Sequence, residues 1–187
     1  MEKMLPARHE VYLARHGQTA YNAERRFQGR LEVPLDSRGR EQAEALAEAA
    51  TEQPLVALYA SPLRRARETA EAVSTRLGVR VREDSRLAET DTGRWTGRSF
   101  AEVEAAEPDA FAAYRAADPA FRFPGGESYA EQTERVLAAL EDVVRGPLPA
   151  LIVSHRGAIR LVLVHWRGDE SLRAGDVPTG ALVPLVA

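Results

Sequence analysis

Four short stretches place reactive side chains where apolar runs stop. Arg15, His16 and Gly17 follow the run that ends at Ala14, and Ser61, then Arg64 and Arg65 one turn on, follow the run that ends at Ala60. Glu89 lies in SRLAETDTGRWTG after a third run, and Ser154, His155, Arg156 and Gly157 close a fourth. Taken alone, a histidine that ends a buried strand is a cap at a strand edge. Two imidazoles, several guanidiniums and a carboxylate together suggest more. A metal ion would find two histidines and a carboxylate as ligands, but it would face at least two guanidiniums, which do not deprotonate in proteins. No HExxH or comparable ligand spacing occurs either. A phosphate fits the set better. Arginine forks match its oxygens in pairs, each charge-assisted bond contributing about 1.5–3 kcal/mol. A helix N-terminus at Ser61-Pro62 would add backbone donors and a favourable dipole.

These groups meet only if the elements carrying them share an end. EVYLA (10–14), LVALYA (55–60), VRVRE (79–83) and ALIVS (150–154) read as strands, and ALVPLV (181–186) as a last strand held to an edge by Pro184. A helix capped by Asp36 or Ser37 runs to about Ala50, with Ala43, Leu46, Ala47 and Ala50 at helical spacing. Ser61 reads as the N-cap and Pro62 as the first residue of a helix with the stripe Ala66, Ala70, Val73 and Leu77, stopped by Gly78. Ser99–Glu102 and Ser128–Glu131 are capping boxes. The helix over 128–145 turns Val136, Leu140 and Val143 inward and ends at Gly146-Pro147, and GAIRLVLVHW forms another behind the fourth strand. The stretch 99–125, broken at Pro108, Pro119 and Pro124, reads as part of a helical insertion over about 98–127. Four of the five phenylalanines sit there, Phe100, Phe111, Phe121 and Phe123, either to pack it down or to wall a substrate cleft.

The alternation of strand and helix implies an α/β fold: a three-layer αβα sandwich around a mostly parallel sheet. The whole chain, 1–187, reads as one domain with the insertion over the strand carboxyl ends. Ligands of such sheets bind beyond those ends, where the four stretches would converge.

Composition narrows the field. The 187 residues are 44% hydrophobic and 28% charged, as in ordinary globular domains, and the net charge of −3 offers no basic surplus for nucleic acid or an acidic membrane. Without cysteine there is no disulfide, thiolate zinc site or cysteine nucleophile. Lys3 is the only lysine and sits near the terminus, which argues against a Schiff base. MEKMLPARHE lacks a signal core and no run is long enough to span a bilayer, so a cytoplasmic protein is expected.

The four stretches carry a family resemblance. ARHGQTAYNAERRFQG resembles the R-H-G-x-T-x-x-N…Q-G signature of the histidine phosphatase superfamily, the phosphoglycerate mutase-like proteins. SPLRRARETA, LAETDTGRWTG, PGGES and VSHRGAIR resemble its further motifs in order, from residue 9 to about 160. The resemblance implies that His16 is the nucleophile that becomes phosphohistidine, that Arg15, Arg65 and His155 hold the phosphoryl group, and that Glu89 donates the proton. Asn22, Gln28 and Gly29 would line the phosphate pocket. Arg65 rather than Arg64 matches the motif. His9 and His165 match none and read as structural, and Glu127 either forms an ion pair near the site or merely begins the next helix.

Elementary chemistry agrees with these roles. An attacking imidazole must be neutral, neighbouring arginines disfavour the imidazolium, and a backbone carbonyl could hold the other ring N–H. Fixed cations suit the charge spread over a transferring phosphoryl group. A carboxyl beside a dianionic phosphate favours its protonated form, which suits Glu89 as general acid. No metal or other cofactor is needed. The chain is thus expected to hydrolyse a small phosphomonoester and resembles the short phosphatase branch, such as alpha-ribazole phosphatase and broad-specificity phosphatases. A cofactor-dependent phosphoglycerate mutase is the enzymatic alternative, and a phosphate-binding module that lost catalysis the non-enzymatic one. Mutases of this superfamily carry an extra segment that helps exclude water, and the interval from Glu89 to His155 holds no obvious one. A homodimer stays open. Arg156 departs from the second motif, which usually has glycine there. Either the position needs positive φ and arginine is strained, or only its N–H matters and the side chain points to solvent, or it adds a cation at the pocket mouth.

Overall fold

The computed structural model describes residues 10–118, 120–167, 177 and 179–185, so His9 and Pro119 lie outside the described residues. Its sheet has the order β3-β2-β4-β1-β5, with β1 Val11–Arg15, β2 Ala57–Ala60, β3 Val81–Glu83, β4 Ala150–Ser154 and β5 Leu182–Pro184. The first four are mutually parallel, and β5 runs antiparallel to β1 at the edge; a short helix, α1 (Ala20–Ala23), follows β1. The register explains how the chemistry is gathered. Arg15 pairs with Ser154 and Ala60 with Val153, so three strands end level. The ladder continues one step further, His16 N–H donating to Ser154 C=O (3.0 Å) and Ser61 N–H to Val153 C=O (3.0 Å). His16, Ser61 and His155 therefore leave the sheet side by side.

Strand residues alternate between two cores. Tyr12, Ala14, Leu58, Ala60, Leu151 and Val153 face α2 (Ser37–Ala50) and α3 (Arg64–Leu77). Val11, Leu13, Ala57, Ala150 and Ile152 face α6 (Tyr129–Arg145) and α7 (Arg156–Arg167). Asp36 caps α2 through Gly39 N–H, and α2 buries Ala43, Leu46, Ala47 and Ala50. Gly78, at φ 69°, ends α3. Both expected capping boxes form, at Ser99 before α4 (Phe100–Ala106) and at Ser128 before α6. Pro108 opens α5 (Pro108–Ala116).

One expectation fails. Ser61 and Pro62 do not start the helix; α3 begins at Arg64, with Leu63 as N-cap. The Ser61 hydroxyl instead faces His155, and it accepts a hydrogen bond from Leu63 N–H (3.2 Å) before the first turn. The backbone donors expected there for phosphate are also in use, since Arg64 N–H donates to the Glu32 carboxylate (2.8 Å).

Between β3 and β4 the phenylalanines divide by role. Phe111, Phe121, Phe123, Phe27 and the fully buried Trp95 make one aromatic cluster, with Trp95 5.2 Å from Phe27 and 5.5 Å from Phe123 between ring centroids. Phe27, Phe100 and Phe123 also wall a cleft, whereas Phe111 and Phe121 do not reach it. Packing and cleft lining are both correct readings: Phe111 and Phe121 only pack, while Phe123 does both.

The turn after His16 is packed against the start of α2 backbone to backbone. A Cβ on Gly17 would meet the Gly39 carbonyl, and a Cβ on Gly39 would meet the Gln18 backbone. Gly39→Ala is therefore expected to cost about 1–3 kcal/mol, as overpacking does. Urea unfolding checks this; an unchanged midpoint would mean that the two backbones separate freely.

Candidate active site

Arg15 ends β1 and His16 follows it into the interior, 2% exposed. His16 Nδ1 lies 2.7 Å from Gly17 C=O. A carbonyl only accepts, so Nδ1 carries the proton and Nε2 keeps its lone pair. The turn is tied to α3: Gly17 N–H donates to Thr69 Oγ1 (3.1 Å), which donates to Arg65 C=O (2.7 Å). Arg65, 1% exposed, gives its two terminal nitrogens to Leu31 and Gly29 carbonyls (both 2.9 Å). Those carbonyls fix the guanidinium without neutralising it. His155 is fully buried, with Nε2 2.7 Å from Ser61 Oγ and its ring 5.1 Å from that of His16.

Electrostatics follow from this crowding. Burial, reinforced by Arg65 and Arg15, holds His16 well below the ordinary histidine range, only partly opposed by the Gly17 carbonyl. Burial and then Arg65 and His16 do the same to His155. Burial lowers Arg15 and Arg65 to about 10, which leaves both charged at neutral pH. Arg15 Nε, Arg65 Nε and His155 Nδ1 are buried without hydrogen-bond partners among the described residues. Such atoms are costly, and an oxyanion is the ligand that would satisfy guanidinium donors.

Glu89 lines the same cleft. Its Oε1 accepts from Thr90 N–H (2.9 Å), Thr90 Oγ1 (3.3 Å) and Gln132 Nε2 (3.3 Å). The segment that carries it is stapled from α6. Arg135 donates to the Arg86 and Ala88 carbonyls (both 2.7 Å) and the Glu89 carbonyl (3.3 Å). Glu127 grips the same guanidinium through both oxygens, at 2.6 and 2.8 Å. Glu127 is therefore an ion-pair residue that orders the Glu89 segment through Arg135.

Asn22, Gln28 and Gly29 line the cleft too. Thr19 Oγ1 lies 3.0 Å from Asn22 Oδ1 and 2.9 Å from Gln28 Oε1, which leaves both NH2 groups as donors. Arg156 is the first residue of α7 and has no positive φ, so neither strain nor a solvent-pointing side chain describes it. Its guanidinium donates to Tyr114 Oη (2.9 Å) and forms part of the cleft wall. Arg64 pairs with Glu68 at the surface (2.6 Å), and His165 is exposed on α7. The cavity, about 520 Å³, carries seven arginines and one carboxylate among its described lining residues, a setting for an anion.

Sequence reading did not single out Thr69, Thr90, Gln132 or Arg135, nor the Ser61 contact with His155. Ser61 and Thr69 lay inside the SPLRRARETA motif. Gln132 and Arg135 carried no local signal beyond their helical spacing.

Comparison with known proteins converges on the same residues' family. Residues 11–182 match the model of the histidine phosphatase superfamily (branch 1). The chain is 42% identical over 160 residues to a glucosyl-3-phosphoglycerate phosphatase of Mycolicibacterium vanbaalenii, covering 80% of this chain and 70% of that one. It is 38% identical over 149 residues to a probable phosphoglycerate mutase of Escherichia coli, covering 78% and 69%. A solved mycobacterial glucosyl-3-phosphoglycerate phosphatase in complex with VO3 superimposes with a TM-score of 0.78 at 35% identity, over 86% of this chain and 82% of that one.

The buried histidines make stability depend on pH. Both stay neutral in the folded state while the unfolded chain protonates them below about pH 6.5, so stability falls as pH drops below that value. Each contributes at most about 1.4 kcal/mol per pH unit there. Urea unfolding from pH 7 to 5.5 should show a slope that flattens in His155→Gln; an unaltered slope would contradict the burial of a neutral ring.

Proposed function

The chain belongs to the histidine phosphatase superfamily, and on that premise we propose that it is a metal-independent phosphomonoester hydrolase working through a phosphohistidine. The observation that carries this is a buried imidazole with Nδ1 tied to Gly17 C=O, in one cleft with Arg15, Arg65 and Glu89.

The reaction follows from the roles assigned to these groups. Arg15, Arg65 and His155 hold the phosphoryl oxygens, and Asn22, Gln28 and Gly29 line that pocket. The Nε2 lone pair of His16 forms a bond to phosphorus while the ester P–O bond breaks, its electron pair passing to the alcohol oxygen. Glu89 gives that oxygen a proton and becomes a carboxylate, and the alcohol leaves. Water then attacks the phosphohistidine, the N–P pair returns to His16, and Glu89 takes the proton of the water. The fixed guanidiniums act by position and charge, with no reorganisation during transfer.

Hydrolysis is favoured over mutase chemistry because, beyond the helical insertion itself, the interval from Glu89 to His155 holds no obvious extra segment to close over the substrate and exclude water. The substrate is a small phosphorylated metabolite. Relatives named glucosyl-3-phosphoglycerate phosphatases point to a phosphorylated sugar derivative, and a cleft lined by both Phe27, Phe100 and Phe123 and several arginines suits a body with an apolar face and an acidic end. Arg156 meets that end of the substrate. The chain is read as a single domain with its helical insertion over about 98–127. No described helix is long and apolar enough to cross a membrane, and a cytoplasmic enzyme with a small-molecule partner is the reading that fits.

Turnover of p-nitrophenyl phosphate between pH 5 and 8 in the presence of EDTA tests the activity. None from the wild type would leave a binding module, and conversion of 3-phosphoglycerate to 2-phosphoglycerate faster than phosphate release would make the protein a mutase. His16→Ala should retain no label from 32P-labelled substrate. Arg156→Gly should raise KM several-fold more for multiply charged esters than for p-nitrophenyl phosphate; equal effects would remove Arg156 from recognition.

A further inference from the structure

Helix α6 turns an apolar stripe to the core through Val136, Ala139, Leu140 and Val143, and the residue that begins the stripe, one turn earlier, is Gln132. Gln132 is 0% exposed, and burying an amide on a core-facing stripe costs free energy that an apolar residue would not incur. Among the described residues its side chain has one hydrogen-bond partner, the Glu89 carboxylate, Nε2 to Oε1 at 3.3 Å, while its own Oε1 is buried without one. The helix thus spends a core position on one contact with the candidate proton donor.

The packing around that contact is specific. Gly157 lies over it: a Cβ there would stand 2.7 Å from Glu89 Oε1 and 3.1 Å from Gln132 Nε2. The bare Cα of α7 therefore lets carboxylate and amide meet beneath it. Among the described residues, the donors on Glu89, Thr90 N–H, Thr90 Oγ1 and Gln132 Nε2, all fall on Oε1, and none uses Oε2. An oxygen that already accepts three hydrogen bonds is a poor place for a proton.

From this geometry, and resting on the phosphatase reading above, we infer that Gln132 is a positioning residue for proton donation. With Thr90 it holds Oε1 of Glu89 as an acceptor, so the proton resides on Oε2 and the carboxyl keeps a fixed rotation in the cleft. In the first half-reaction the Oε2 proton moves to the departing alcohol oxygen as the P–O bond breaks, and in the second Oε2 receives the proton of the attacking water. Gln132 touches neither phosphorus nor alcohol; it acts through Glu89.

The test separates proton donation from folding. An alkyl phosphate needs a proton on its leaving oxygen, whereas p-nitrophenolate departs without one. In Gln132→Met, kcat/KM for an alkyl phosphate such as glycerol 3-phosphate should fall about 10–100-fold, within the reach of general acid catalysis. For p-nitrophenyl phosphate it should stay within about 3-fold. Glu89→Gln should show the same selectivity more strongly, and adding Gln132→Met to it should cost nothing further, as expected for two residues acting through one proton. Equal losses on both esters, or an additive double variant, would overturn the inference and leave the phosphatase reading standing. No hydrolysis of either ester by the wild type would overturn both.

Discussion

The structure depends on keeping an imidazole neutral while burying it among positive charges. His16 has lost its water and sits near Arg15 and Arg65, so the imidazolium is disfavoured from two directions. The guanidiniums are buried as well, and neither is neutralised by a carboxylate at bonding distance: Arg65 is held by carbonyls and Arg15 leans on the Val177 carbonyl at 3.4 Å. The folded protein thus carries positive potential, only partly offset by Glu89, at the spot where a dianionic phosphoryl group would bind. A phosphate would relieve that repulsion and satisfy the buried Nε atoms of both arginines.

Much of the remaining architecture holds this arrangement in place. Level strand ends present His16, Ser61 and His155 together. The glycine contact between the His16 turn and α2 allows the turn to sit deep, and Thr69 ties it to the helix that carries Arg65. On the opposite side Glu127 holds Arg135, which orders the Glu89 segment by donating to the carbonyls of Arg86, Ala88 and Glu89. The charged groups are therefore fixed before any ligand arrives, which is the condition for electrostatic stabilisation without reorganisation.

What could be read in the sequence divides along a physical line. Features set by neighbours in the chain were legible: the Asp36 cap and alanine stripe of α2, the two capping boxes, the Gly78 stop and the edge placement forced by Pro184. Features set by distant partners were not. Ser61 has the composition of a helix cap, but its hydroxyl faces a histidine 94 residues away, and the helix starts later as a result. Glu127 gave two readings until Arg135, eight residues on, decided between them. Arg156 could not be aimed from the sequence, because its direction depends on Tyr114 in the segment between β3 and β4. Gln132 carried no local signal in the sequence and acquires meaning only beside Glu89.

The proposed attack by Nε2 of His16 rests on Gly17 C=O, which holds the Nδ1 proton. It is tested most directly by trapping the phosphoenzyme with a rapid quench, mapping the label by mass spectrometry and identifying the phosphorylated ring nitrogen by 31P NMR of the isolated peptide. Phosphate on Nε2 of His16 is the expected result. Phosphate on Nδ1 of His16, on His155 or on any other residue would contradict the account.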